Sequence, residues 1–246
     1  MSKDYGFEYE HQRRQERRAG GELYDVAPLS AGAIEWLRAH HKEYRAETLA
    51  RFEIQEGRFK SYRIDESCIV IPVRKIFRVY LFNRLKPERW KVVPPGYPAQ
   101  WLTGNLRVGE APLDWVILSE GEWDAFRLYD QGFRNVACHT AGAATWKAAW
   151  TRMFAGKKVF IAYDMDAAGL DGADRVAHNL FPVAEEVRIV RLPLRGTPDE
   201  NDVSDYFRLG GDADGFRKLL GSARRYVPAI RFRGRRNSLS RDGLHA

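Results

Sequence analysis

Three carboxylates stand out by position. Glu120 directly follows the apolar run Trp115–Ser119, and Asp164 and Asp166 directly follow the run Val159–Tyr163. In extended backbone the i, i+2 spacing of the two aspartates sends both side chains to one side. Asp202 comes after a later run, Val187–Leu192, and its loop. If Trp115–Ser119 and Val159–Tyr163 are neighbouring strands, the carboxylates converge. Ionised carboxylates brought together repel one another unless a cation sits among them. An all-oxygen set without His or Cys favours Mg²⁺ or Mn²⁺ over zinc, and such a set suits phosphoryl transfer. Plainer roles compete at some positions. Asp202 serves equally well as the N-cap of a helix over Val203–Arg208. Asp124, in the first turn after Glu120, favours the helix dipole, and Asp171 and Asp174 read as solvent-facing helix residues.

The elements that must position these groups follow a regular alternation. Trp115–Ser119, Asn135–His139, Val159–Tyr163 and Val187–Leu192 read as strands, with helices over 122–131, 145–154, 170–180, 202–208 and 213–221. Strands alternating with helices of this length imply right-handed crossovers and a parallel sheet covered on both faces. In such sheets ligands gather at the C-terminal ends of the strands, which is where Glu120, Asp164 and Asp166 lie. Upstream, Ser30 caps a predicted helix with Ile34, Leu37 and His41 on one face, and a short helix covers 44–52. Cys68–Val73 and Val79–Phe82 are short β-rich runs, and a Pro-rich loop occupies 94–98. The expected organisation is therefore a charged, mobile arm over 1–26, a small basic α+β unit over 27–111, an α/β unit over 112–223, and a basic tail over 224–246.

The charge balance supports that division. Lys+Arg against Asp+Glu is 11 to 3 over residues 58–107, 13 to 17 over 112–223, and 7 to 1 over 224–246. A basic middle and a basic tail thus flank an acidic region, the pattern expected for a polyanionic partner. The basic middle is interleaved with aromatics, among them Phe59, Tyr62, Phe77, Tyr80, Trp90 and Trp101. That mixture suits phosphate contacts and base stacking, although strand core accounts for about half of such aromatics. The two cysteines, Cys68 and Cys138, are too few and too far apart for a zinc ribbon or a disulfide framework. No apolar run is long enough to span a bilayer and the N-terminus has no secretory segment, so the cytosol is the expected location.

The stretches Leu118-Ser-Glu-Gly-Glu-Trp-Asp-Ala-Phe, Thr140-Ala-Gly-Ala-Ala-Thr-Trp and Tyr163-Asp-Met-Asp-Ala-Ala-Gly resemble the TOPRIM domain. That domain is shared by topoisomerases, bacterial and phage primases and some nucleases, and the resemblance covers residues 114–221. It implies a Rossmann-like α/β fold, with Glu120 as metal ligand or acid/base and Asp164 and Asp166 as the metal-holding pair. Asn201-Asp-Val-Ser-Asp-Tyr resembles the Lys-Asp-x-Asn/Ser-Asp segment of primases. There Asp202 would be a further metal-site carboxylate, while Asn201 stands in the place of the family's lysine. Gly142 and Gly169 would permit tight turns close to phosphates. More loosely, residues 30–107 resemble the basic N-terminal subdomain of the DnaG-type primase catalytic core. On that resemblance Arg74, Arg84 and Lys91 face the template or the nucleotide phosphates; otherwise they are outward-facing residues of an antiparallel sheet.

The resemblance implies a primase-type nucleotidyltransferase that uses single-stranded DNA and NTPs with Mg²⁺ or Mn²⁺ and no zinc. A replicative primase also carries a zinc-binding module and a helicase or helicase-binding domain. Neither has a signature here, so the likeness is to primase-like proteins of phages and mobile elements. A separate helicase or template-recognition protein is the implied partner. Two other readings use the same residues: a TOPRIM-type nuclease, in which the carboxylates activate water, and a non-catalytic scaffold that holds nucleic acid in a larger replication assembly.

Overall fold

The computed structural model describes residues 21–61, 64–73, 76–82, 90–93, 102–104, 114–139 and 145–228. Arg74, Arg84 and Gly142 lie outside these residues, and of Lys91 only the backbone is described. Among the described residues no helix is long and apolar enough to cross a membrane.

The first unit is an antiparallel sheet in the order β1 (Glu22–Pro28), β2 (Gln55–Ser61), β3 (Ile64–Val73), β4 (Ile76–Leu81) and β5 (Trp90–Val93). Alternation sorts β3 between two apolar clusters. Ile69, Ile71 and Val73 pack with Ala33 and Leu37, while Cys68 and Val70 pack on the other face with Phe59, Val79 and Leu81. The first face is covered by α1 (Ala31–Ala39) and α2 (Ala46–Arg51). Ser30 caps α1 as expected, its hydroxyl accepting from Ala33 N at 3.2 Å. The buried face differs from expectation, however. Ala33 and Leu37 point inward, whereas Ile34 is exposed and His41 lies beyond the helix at φ 55°.

The second sheet runs β11 (Arg224–Arg225), β10 (Glu186–Ile189), β9 (Lys158–Ala162), β7 (Trp115–Ser119), β8 (Val136–His139), β6 (Leu102–Gly104). Its four inner strands are parallel and both edge strands antiparallel. One face, including Val116, Leu118 and Ile161, packs on α4 (Ala148–Thr151), a 3₁₀ turn at Arg152–Phe154, and α5 (Ala167–Leu180). The other, including Ile117 and Val190, packs on α3 (Glu122–Asp130), α6 (Val203–Arg208) and α7 (Ala213–Ser222). This is the mixed α/β architecture with helices on both faces that the alternation predicts. The two units share a core: Phe126 of α3 belongs to the cluster beneath the first sheet.

Three boundaries differ from the sequence reading. Residues 22–26, placed in the arm, belong to edge strand β1, whose sequence Glu-Leu-Tyr-Asp-Val-Ala-Pro carries no apolar–polar alternation. Leu102–Gly104, assigned upstream, pairs with β8 in the second sheet. Arg224–Arg225, assigned to the tail, pairs with β10, and Tyr226 N donates to Val187 O at 2.7 Å. Helix α5 also starts earlier than residue 170, because Asp166 caps it and accepts from Gly169 N at 2.8 Å.

Candidate active site

The strand order decides where the site forms. From β7 the chain moves to β8 on one side and returns to β9 on the other, so β7 and β9 flank a topological switch point. They pair in parallel with Ser119 opposite Ala162, which puts Glu120 and Asp164 at adjacent strand ends. Such switch points open a crevice beyond the C-terminal strand ends. Here it is a cavity of about 470 Å³ lined by Glu120, Asp124, Asp164 and Asp202 on its acidic side.

These four groups come from different elements. Asp164 sits in the loop between β9 and α5, and its Oδ2 accepts from Asn201 Nδ2 at 3.1 Å. The loop is braced from the other side, where Met165 N donates to Asn201 O at 2.9 Å. Gly169 is required at this approach, since a Cβ there would lie 2.4 Å from Asp164 O. Asp124 projects from the first turn of α3, is 7% exposed, and accepts from Ser204 N at 3.1 Å and Ser204 Oγ at 2.9 Å. That bond ties α3 to α6. Asp202 caps α6, accepting from Asp205 N at 2.7 Å in a reciprocal capping box, while still lining the cavity. The cap and the site residue are thus the same group.

The electrostatics record the crowding. Burial, then the charges of Asp124, Glu120, Asp202 and Asp166, push the Asp164 carboxyl up to about 9. Burial and Asp202 push Asp124 up to about 7, with Lys42 and the Ser204 bonds opposing. Asp202 is raised too, by burial first, with Lys42 and backbone donors of α6 opposing. Carboxylates this destabilised as anions hold protons or a cation.

An all-oxygen, mutually repelling donor set fits a hard divalent ion. Among the described residues no three His, Cys, Asp or Glu side chains already stand in a metal-holding arrangement. Mg²⁺ is usually held through one or two carboxylates, waters and substrate phosphates rather than by an all-protein cage, so the donor set and an open geometry are compatible. Asp166 is placed differently from the other three predicted ligands. It does not line the cavity; one oxygen caps α5 and the other lies 3.4 Å from Asn201 Nδ2.

The opposite wall comes largely from the first unit. Arg78 of β4 reaches Glu122 at the start of α3, with Nη1 at 2.5 and 2.7 Å from the two carboxylate oxygens, and both side chains are buried. Lys42 lies 5.5 Å over the Trp123 ring, and Arg208 of α6 completes the cationic side. Trp36 stacks on His40 at 4.0 Å and on Phe82 at 4.9 Å, and Tyr80 meets Trp123 edge-on. His139, at the end of β8, contacts Tyr163 Oη at 2.5 Å through Nε2. Burial lowers this imidazole to about 4, which keeps it neutral.

Sequence reasoning singled out Glu120, Asp164 and Asp202, all at the cavity, but missed Asp124, Lys42, Arg78 and Arg208 as part of it. For Arg78 the available signal was an arginine set between the apolar strand residues Phe77 and Val79. Nothing local marked Asp124, because its burial comes from α6, distant in sequence.

Residues 117–207 match the Toprim-like family. That stretch is similar to TOPRIM domains, and the chain has the fold of a DnaG-type primase catalytic core. A DNA primase of Aquifex aeolicus (strain VF5) is 38% identical over 85 residues, 35% of this chain and 17% of that protein's length. The structure of the zinc-binding and RNA polymerase domains of the Aquifex aeolicus primase superposes with a TM-score of 0.63 at 18% identity, covering 80% of this chain and 57% of that one. A DnaG primase catalytic domain bound to single-stranded DNA gives a TM-score of 0.63 at 18% identity, covering 88% and 81%. The chain therefore spans a small part of the curated primase and somewhat more than half of that solved Aquifex structure.

Proposed function

We propose that this protein is a primase-type nucleotidyltransferase that synthesises short primers on single-stranded DNA from NTPs. One observation carries the reading: four carboxylates converge at the β7–β9 switch point and face a cationic, aromatic wall across a single cavity. Glu120, Asp164 and Asp202 would supply oxygen donors to a divalent ion, and Asp166 orients the loop of Asp164 by capping α5. Asp124 adds negative charge and locks α3 to α6. A bound Mg²⁺ or Mn²⁺ would neutralise charge developing on the transferred phosphoryl group.

The opposite wall gives substrate a place to lie. Lys42 and Arg208 supply charge for phosphates, and the rings of Trp36 and Trp123 offer surfaces against which bases stack. The Arg78–Glu122 pair fixes the first sheet on α3, so the two walls hold their separation. Arg74, Arg84 and Lys91, whose side chains lie outside the described residues, are assigned template or nucleotide phosphates on the resemblance to the primase core alone.

Incubation with single-stranded DNA, NTPs and Mg²⁺ is expected to yield labelled oligonucleotides, and Asp164→Ala to abolish them. Parallel reactions without NTPs report cleavage. Cleavage without extension would replace the primase reading with a nuclease, and neither activity on any template or metal would leave a nucleic-acid scaffold.

A further inference from the structure

A second cavity opens beside the first, where the segment between α1 and α2 meets the C-terminal ends of α3 and α6. It measures about 510 Å³ and shares His41 and Arg208 with the carboxylate cavity. Its charge is opposite. Arg38, Arg45, Arg127 and Arg208 line it against Glu43 and Asp130. Asp130 is already engaged, accepting from Arg45 N at 2.8 Å and Thr48 Oγ1 at 2.6 Å, with the Arg45 guanidinium at 3.5 Å. Glu43 lies 3.4 Å from Arg38, which also holds Glu35 at 2.9 Å.

Arg127 is the informative residue. Its side chain is 15% exposed and its guanidinium lies 4.7 Å over the Tyr44 ring. It makes one long bond, from Nη2 to His41 O at 3.4 Å, and stands 4.0 Å from Asp130. Its Nε is buried and finds no hydrogen-bond acceptor among the described residues. A guanidinium stacked on a ring keeps its in-plane donors available for a planar or tetrahedral oxyanion. Arg38 is held by Glu35 and Glu43, Arg45 by Asp130 and Arg208 by Asp205, so the donors left open are those of Arg127, and buried donors so little used need an acceptor. The arginine fork matches phosphate.

We propose that this cavity is a phosphate site, occupied by a backbone phosphate of a nucleic-acid strand running on from the carboxylate cavity. Continuity supports the strand, because His41 and Arg208 belong to both walls. The choice of strand rests on the reading that the first cavity handles nucleic acid; the phosphate site requires no chemistry there.

The test is binding by the full chain in EDTA without nucleotide. Anisotropy of a labelled single-stranded oligothymidylate is followed against salt, and tripolyphosphate is titrated calorimetrically. Arg38→Ala/Arg45→Ala removes side chains that are more than half exposed, so folding should be retained. Arg127→Gln is checked by melting, and Arg127→Lys keeps the charge without the fork. Arg224→Ala/Arg225→Ala is the charge-matched control. Relative to that control, the double variant and Arg127→Gln should weaken oligonucleotide binding about tenfold at low salt. The salt slope should fall by about 0.7 for each phosphate no longer engaged, and Arg127→Lys should be intermediate. Loss of tripolyphosphate binding with oligonucleotide binding intact would keep the phosphate site but overturn the strand as its source. No change in either relative to the control would overturn the site. Primer synthesis is scored separately: its absence from a wild type that still shows Arg127-dependent binding refutes the primase reading and leaves this site standing.

Discussion

The two walls of the carboxylate cavity are stabilised in opposite ways. On the acidic wall Asp124, Asp164 and Asp202 are raised together, by burial and by one another, so the folded chain holds them at a cost. On the basic wall Arg78 is neutralised on the spot by Glu122. Among the described residues the Asp164 carboxyl faces other carboxylates without a counter-ion, whereas Arg78 has its counter-ion in place. Strain of this kind at a functional site, held by the surrounding fold, is what catalytic preorganisation requires.

The contrast can be broken most severely at Asp164. Asp164→Ala should lower primer synthesis by roughly a thousandfold, consistent with several kcal/mol of lost charge stabilisation. Asp164→Asn should meanwhile raise the melting temperature of the metal-free protein, because it removes a repelled anion. A parallel fall in stability and activity would show that the acidic wall is ordinary structure.

On the basic wall the sign reverses. Arg78→Met leaves Glu122 buried without its cation and should cost about 3–5 kcal/mol in denaturant unfolding. Arg78→Met/Glu122→Leu should recover most of that loss. If the double variant is as unstable as the single one, the pair is not what joins the two units.

Stability against pH sharpens the comparison further. Asp164 is raised in the folded state, so its contribution is fully present below the unfolded carboxylate pKa and is lost as pH rises toward about 9. Metal-free protein should therefore melt lower at pH 8.5 than at pH 6.5, and Mg²⁺ should flatten the difference. His139 works the other way. Depressed to about 4, it should reduce stability as pH falls from 6.5 toward 4, because the unfolded chain then binds the proton more readily. In a His139→Gln variant the acid-side loss should shrink while the alkaline loss remains.

The smallest effect is expected at Lys42, which lowers the proton affinity of Asp124 and Asp202 from across the cavity. Lys42→Ala should move the acid limb of the pH–activity profile to higher pH, with little change in melting temperature. An unmoved limb would separate Lys42 from the acidic wall.

Legibility in the sequence followed the same division. The inner strands of the second sheet are buried on both faces and flanked by helices, so Trp115–Ser119 and Val159–Tyr163 read directly as apolar runs. The acidic residues at their ends were legible with them. Strand β1 was not, because its two charged residues, Glu22 and Asp25, stand three apart among apolar ones and leave no period-2 signal. Asp166 marks the limit of spacing arguments. Its i, i+2 relation to Asp164 predicts a shared direction, and Asn201 Nδ2 does lie 3.1 and 3.4 Å from an oxygen of each carboxylate. The other Asp166 oxygen, however, caps the helix that begins at Ala167, a second role the spacing does not show.

By itself the chain's residue order determined the alternation of strands and helices, the acidic strand ends and the basic segment upstream. These are local: periodicity sets which face is buried, and the last strand residue sets where a side chain emerges. Only the tertiary structure decided that β7 and β9 are neighbours, that α6 buries Asp124, and that Arg78 and Lys42 close the cavity from the other unit. Those relations join residues far apart in the chain, as Asp124 and Ser204, 80 positions apart, show. Strand adjacency and cross-unit packing are set by the shared core, and no short window of sequence contains it.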